Sequence, residues 1–269
     1  MEKENKNIWL TYSAEEKEEL HKICELYKSW LDKGKTEREC VELAVELAEK
    51  AGYHNFEEYL SEERQIQKGE KIYAVCMKKC IVLFRMGAEP ISAGMNILGA
   101  HIDSPRIDIK QNPLYEKDDF TYLDTHYYGG IKKYQWVTQP LALHGVVVKK
   151  DGSCVNISIG EREDEPVFVI TDLLVHLASK QLEKKAGEVI EGEKLDILVG
   201  NCPIERDENL KEEKETVKAN VLKILEEAYG IREEDFASAE LEIVPSGKAR
   251  DIGFDRSMIL AYGQDDRIC

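Results

Sequence analysis

The chain has 269 residues, 42% hydrophobic and 33% charged, with a formal net charge of −16. That length suits one large domain or two small ones, and the acidic balance excludes general nucleic-acid binding, which needs basic surface against phosphate. Met1 is followed by no apolar signal core and no apolar run approaches membrane-spanning length, so a cytoplasmic protein without membrane partners is expected. The seven cysteines, Cys24, Cys40, Cys76, Cys80, Cys154, Cys202 and Cys269, include no CxxC pair, which fits free thiols in a reducing compartment.

Helices come first. Leu20, Ile23, Cys24, Tyr27 and Leu31 recur at helical spacing over 14–33, behind Ser13 as N-cap. Residues 36–51 repeat the pattern: Thr36 caps, Glu39 follows three later, and Val41, Leu43, Ala44, Leu47 and Ala48 form an apolar stripe that Gly52 ends. Asn55 to Leu60 is a short amphipathic piece. These helices read as core material, with His21 and His54 facing solvent or capping.

From Lys71 the texture turns to strands. Ile72 to Val75 and Cys80 to Phe84 are short apolar runs, and Lys78-Lys79 between them suits a hairpin turn. Met95 to Ala100 is expected as a buried strand, and Arg106 to Lys110 alternates as a half-buried one. Tyr122–Tyr128, Leu141–Val148, Val155–Ile159 and Val167–Ile170 are strand-like, with turns at Gly129-Gly130 and Asp151-Gly152. The charged stretch 205–215 is expected on the surface, Thr216 to Tyr229 as an amphipathic helix, and Leu241 to Pro245 as a strand. The expected fold is α/β: a mixed sheet flanked by helices, with a β-rich unit inserted. The expected division is 1–112 and 251–269 for the first unit and 113–250 for the insertion.

Two stretches carry candidate chemistry. In Gly99-Ala100-His101-Ile102-Asp103-Ser104-Pro105, residues i and i+2 of an extended segment point the same way, which sets an imidazole beside a carboxylate. Such a pair is a metal ligand with its orienting or catalytic acid, or a plain surface hydrogen bond. In Gly263-Gln264-Asp265-Asp266-Arg267, adjacent carboxylates after an apolar run serve a divalent cation, or cap a helix. His126 and His144 in the β-rich stretch read as structural.

Together, His101-Ile102-Asp103-Ser104-Pro105, Tyr128-Gly129-Gly130 with Trp136, and Gly253-Phe254-Asp255 leading to Gly263-Gln264-Asp265-Asp266-Arg267 resemble the aspartyl aminopeptidase family of metallopeptidases, which includes vacuolar aminopeptidase I. The resemblance runs from the N-terminal helices to the last residue. It implies a two-zinc exopeptidase acting on peptides, with Co2+ or Mn2+ as alternative ions, whose inserted domain builds a homo-oligomer, commonly a dodecamer. It implies His101 as a metal ligand, Asp103 as the catalytic aspartate that orients it, and Asp265 as the carboxylate bridging two ions. Asp266 and Arg267 would shape the turn. His176 resembles a histidine reaching a neighbouring subunit's site; the residues alone also allow a buried histidine in an apolar segment.

The family pattern places a general-base glutamate, a further glutamate and aspartate, and a final histidine beyond Asp-Asp-Arg, whereas this sequence ends at Ile268-Cys269. Two candidate ligands are fewer than the three a catalytic zinc site takes from protein. The expectation is part of a longer enzyme, inactive by itself. A non-catalytic assembly subunit is the alternative, and a deacylase or carboxypeptidase with the same metal arrangement is a third.

Overall fold

The computed structural model describes residues 7–204, 215–264 and 266–267. The chain divides into two compact units, Met1–Ala100 with Lys248–Ile268, and His101–Gly247. The second unit is inserted in the sequence of the first.

The first unit is a mixed sheet flanked by helices. Helix α1 (Ala14–Lys33) opens with a reciprocal capping box: the Ser13 hydroxyl accepts from the Glu16 N–H, and the Glu16 carboxylate accepts from the Ser13 N–H. Helix α2 (Glu37–Lys50) repeats the device with Thr36 and Glu39. Each cap contributes about 1 kcal/mol by satisfying N–H groups that the first turn leaves open. After the two-residue strand β1 (His54–Asn55) comes α3 (Phe56–Ser61), then β2 (Lys71–Cys76) and β3 (Cys80–Arg85). β1 pairs with β2 in parallel, and β3 pairs with β2 antiparallel. The hairpin turns through Met77, Lys78 and Lys79, as expected of Lys78-Lys79, with Met77 and Lys78 left-handed at φ 50° and 57°. Helix α2 packs on β2 and β3, and its Cys40, Val41 and Ala48 are buried.

One strand expectation fails in this unit. Met95 to Ala100 forms no strand, and Met95, Ile97 and Leu98 are 59%, 80% and 99% exposed. An apolar segment becomes a strand only when another strand satisfies its backbone, and no described strand pairs with this one. The apolar stripe of α1 is partly covered: Leu31 is buried, Leu20, Cys24 and Tyr27 are half-buried, and Ile23 stands exposed.

The second unit is built on one antiparallel sheet. Its strands are β4 (Arg106–Lys117), β5 (Phe120–Tyr128), β6 (Leu141–Val148), β7 (Cys154–Ile159), β8 (Ile197–Gly200) and β9 (Ala239–Pro245), in the order β7-β6-β9-β4-β5-β8. Ile107, Leu141, Val147, Ile197, Ile243 and Val244 are fully buried and form its core. Helix α4 (Thr216–Tyr229) packs on β4, β5 and β8. Val167–Ile170 contributes only isolated bridges, Phe168 to Leu141 and Val169 to Leu198, rather than a full strand. β4 runs unbroken through residues 112 and 113, so the boundary between units falls at 100/101 instead of 112/113, and at 247/248 instead of 250/251. The hairpin β10 (Arg250–Ile252) and β11 (Met258–Leu260) belongs to the first unit. The charged stretch 205–214 lies outside the described residues. Among the described residues no helix is long and apolar enough to cross a membrane, and Cys24, Cys40, Cys76, Cys80, Cys154 and Cys202 are free.

At Gly145 on β6 the backbone of β9 leaves no room for a side chain. The Gly145 φ is +137°, and a Cβ there would meet the Glu240 carbonyl oxygen at 2.0 Å. Backbone cannot yield as a side chain tip does, so Gly145→Ala must push two central strands apart. We expect a loss of about 3 kcal/mol or more in unfolding free energy. Urea unfolding checks this, and a wild-type midpoint would contradict the close approach.

Candidate metal centre

His101 and Asp103 lie in the irregular segment that leads into β4. The imidazole Nδ1 is 3.1 Å from Asp103 Oδ1 and 3.2 Å from the Asp103 carbonyl oxygen. Both oxygens are acceptors, so in the neutral ring Nδ1 is the nitrogen that carries the proton and Nε2 the one with the lone pair. A ligating histidine adopts this arrangement, one nitrogen for the metal and the other N–H given to an oxygen. The donor set therefore fits a divalent cation. The His101 side chain is 54% exposed, which leaves the ring accessible.

Asp103 is held from its other side. The Tyr128 hydroxyl donates to Asp103 Oδ2 at 2.8 Å. That hydrogen bond is the main cause holding the Asp103 carboxyl below its ordinary range; partial burial opposes it, and the His101 hydrogen bond adds to it. Asp103 is accordingly a carboxylate throughout the neutral range.

Tyr128 ends β5, directly opposite Arg106 at the start of β4. The Arg106 guanidinium carbon lies 4.1 Å from the Tyr128 ring centroid. Arg106 Nε donates to Asp108 Oδ1 at 2.8 Å and pairs with Glu242 Oε2 at 3.2 Å. Asp108 and Glu242 face each other across β4 and β9, where two like charges would repel. The buried guanidinium between them offsets that repulsion. Gly129, at φ +76°, lets the turn after Tyr128 sit against Pro105, where a Cβ would touch the proline at 3.4 Å.

The second motif lies in the first unit. Asp265 is outside the described residues; Gln264 and Arg267 beside it in sequence are each anchored. Tyr27 Oη donates to the Gln264 carbonyl at 3.0 Å, and Arg267 N donates to the Gly263 carbonyl at 3.1 Å. The Arg267 side chain is buried. Its Nη2 donates to the Lys35 carbonyl at 2.9 Å and its Nε to Cys40 Sγ at 3.1 Å. Cys40 passes its own S–H to the Gly34 carbonyl at 3.5 Å. Burial pushes the Cys40 thiol up, more than neighbouring Arg267 pulls it down, so the sulfur stays protonated and accepts as a neutral atom.

His176 sits on the single turn Val175–Leu177 and is exposed. The buried alternative is thereby corrected, because the segment turns its apolar side chains outward. Leu173, Leu174, Val175 and Leu177 are 55%, 71%, 67% and 70% exposed. Among the described residues His176 makes no hydrogen bond to His101 or Asp103. His126 is exposed and stacks on Tyr127 at 5.3 Å, while His144 is buried against Glu161 at 3.0 Å.

Sequence reasoning paired His101 with Asp103 but missed the grip of Tyr128 on Asp103, and Arg106 behind it. Tyr128 stood in a quoted motif without a role. The i, i+2 spacing of Arg106 and Asp108 on a strand was the available signal for part of the brace, whereas Glu242 lies more than a hundred residues away and gave none.

A likeness of this kind is measurable against known proteins. The Aminopeptidase I zinc metalloprotease (M18) family matches residues 30–269. The chain belongs to the M18 family. A probable M18 family aminopeptidase 1 of Clostridium acetobutylicum is 57% identical over 267 residues, 99% of this chain and 57% of that relative. A namesake of Thermotoga maritima is 44% identical over the whole chain and 56% of its own length. The crystal structure of the M18 aminopeptidase from Thermotoga maritima superposes with a TM-score of 0.90 at 42% identity, covering 100% of this chain and 56% of that one. The aminopeptidase I structure from Clostridium acetobutylicum gives 0.88 at 53% identity, covering 100% of this chain and 58% of that one. The Saccharomyces cerevisiae mApe1 dodecamer shares the fold at a TM-score of 0.61 and 16% identity, over 88% of this chain and 51% of that one. The chain thus spans a little over half the length of the curated relatives it matches most fully.

Arg267→Met should remove the anchor of the Gly263–Arg267 turn and leave the Lys35 carbonyl and Cys40 sulfur without that donor. The expected cost is about 2 kcal/mol, read by thermal unfolding. Cys40 labelling by a thiol reagent, resolved by mass spectrometry, should accelerate about tenfold or more. Unchanged stability and labelling would show that the anchor carries no weight.

Proposed function

We propose that this chain carries part of the active site of a metal-dependent aminopeptidase, which removes N-terminal residues from peptides with a water activated between two zinc ions. One observation carries the reading: His101 has Nδ1 engaged by Asp103 and Nε2 available, in a chain matching a zinc metalloprotease family over residues 30–269. His101 would hold one ion and Asp265 would bridge to the second. Bound there, zinc polarises a scissile carbonyl and lowers the pKa of a water. Asp103 keeps the His101 Nδ1 proton in place and adds a negative charge behind the ring, which strengthens Nε2 as a donor. Co2+ or Mn2+ suit the same imidazole and carboxylate donors.

The relatives are longer, and we assign the remaining ligands and the general base to the share of their length that this chain does not span. With two candidate ligands the 269 residues should not hydrolyse peptides alone. The inserted unit, 113–250 in the sequence reading, is proposed to mediate self-association into a homo-oligomer, up to a dodecamer, with His176 presented to a neighbouring subunit from its exposed apolar turn. Free thiols fit a cytoplasmic location. An assembly-only subunit is not favoured, since relatives at 44% and 57% identity bear aminopeptidase names.

The test joins this chain to the C-terminal remainder of the Clostridium acetobutylicum relative. The chimera should hydrolyse aminoacyl-p-nitroanilides with zinc and lose that activity to a chelator, while the 269-residue chain shows none. His101→Ala and Asp265→Asn should each lower kcat/KM on the order of a thousandfold, and Asp103→Asn by about ten- to a hundredfold or more. A folded chimera that neither binds zinc nor cleaves would sink the reading, and turnover by the chain alone would refute the division of ligands.

A further inference from the structure

We propose that Tyr128, braced by Arg106, is a positioning residue that sets which nitrogen of His101 is offered to a metal ion. The inference rests on the reading of His101 as a ligand and adds a residue to which the family motifs attach no role here. Its basis is the geometry of one carboxylate with two occupied ends.

Asp103 Oδ1 faces His101 Nδ1 at 3.1 Å, and Oδ2 accepts from Tyr128 Oη at 2.8 Å. A carboxylate held at one oxygen can swing about its own bonds; held at both, it presents Oδ1 in a single direction. That matters because the partners lie near the surface, with the His101 and Asp103 side chains 54% and 38% exposed. Exposed side chains exchange rotamers freely unless something fixes them. Tyr128, itself 40% exposed, supplies the fixed point because one face of its ring is backed by a buried guanidinium.

The backing is Arg106. Its guanidinium stacks under the Tyr128 ring at 4.1 Å, its side chain is only 8% exposed, and Asp108 and Glu242 hold it electrostatically. Glu242 is fully within β9, in the middle of the sheet. A continuous set of contacts therefore runs from the sheet interior through Glu242, Arg106, Tyr128 and Asp103 to the imidazole. With Oδ1 and the Asp103 carbonyl both accepting, the ring is driven to the Nδ1–H tautomer, and Nε2 faces outward from that pair as the lone-pair nitrogen. Without Tyr128 the Asp103 carboxylate is free to leave Nδ1, and the Nδ1–H tautomer keeps only the Asp103 carbonyl oxygen as its acceptor.

The experiment uses the 269-residue chain labelled with 15N-histidine, free of metal and held at about pH 8, where an ordinary imidazole is neutral. His101 is assigned by loss of its signals in His101→Gln. Wild-type His101 should be mainly in the Nδ1–H form. In Tyr128→Phe, which keeps the ring over Arg106, the ratio of Nδ1–H to Nε2–H should fall about threefold or more, with the unfolding midpoint and the amide spectrum of the sheet retained. A merely structural tyrosine would not move the tautomer in a folded variant. Arg106→Lys, which keeps the charge but weakens the stack, should shift the ratio in the same direction by less. Zinc titrations of the chimera described above, with and without Tyr128→Phe and followed on the His101 signals, separate the two readings. Zinc binding at His101 that is equal in wild type and Tyr128→Phe, with an unchanged tautomer ratio, overturns the positioning role and leaves the ligand reading intact. A tautomer shift in Tyr128→Phe without zinc perturbing His101 in either protein upholds the positioning and removes the ligand reading. A wild-type His101 mainly in the Nε2–H form overturns the inference outright.

Discussion

The Asp103 carboxylate is the small hinge on which the candidate centre depends. One oxygen meets an imidazole and the other a phenol, at 3.1 Å and 2.8 Å. Hydrogen bonds to a charged acceptor are roughly twice as strong as neutral ones, and they lose strength quickly with misalignment. Satisfying both oxygens therefore selects one rotamer of Asp103 and one face of His101. The charge that makes this work is maintained by the same contacts, since Tyr128 and His101 both favour the ionised form.

The antiparallel sheet explains how an exposed pair gains that definition. Arg106 and Tyr128 are register partners on β4 and β5, and Asp108 and Glu242 are partners on β4 and β9. Three adjacent strands thus converge on one guanidinium. A buried arginine is costly to desolvate unless its partners are already in place, and here the register delivers them. The first unit uses the same chemistry at the second motif, where buried Arg267 draws on the Lys35 carbonyl and the Cys40 sulfur. In each unit an arginine behind the candidate residues, rather than the candidate residues themselves, carries the local packing.

Membership of the M18 family gives these two stretches a common context without assigning the roles of individual residues. The chain covers 57% of the Clostridium acetobutylicum relative, and the uncovered apolar side chains of the first unit are in keeping with a partial span. Ile97 and Leu98 are exposed at 80% and 99%, well beyond the scattered apolar exposure common on soluble proteins. The exposed run Leu173–Leu177 raises the same question for the second unit, and His176 in its midst is why self-association is the proposed answer there.

Local order was legible in the residues. Ser13 with Glu16 and Thr36 with Glu39 announced two helix starts, and period-two apolar runs announced most strands, because caps and alternation depend on neighbours within a few positions. The pairing of His101 with Asp103 was legible for the same reason. Met95 to Ala100 misled, since its apolar composition is that of a strand but strand formation needs a partner that composition does not reveal. The insertion boundary moved because a strand is a unit of hydrogen bonding and β4 does not break where the texture of the sequence changes. What the residues alone determined was the sites where chemistry starts, an imidazole beside an acid and a second acid pair far along the chain. Only the tertiary structure decided which groups hold that imidazole in place, because Tyr128, Arg106 and Glu242 meet through strand register, and register is set by pairing across long sequence separations.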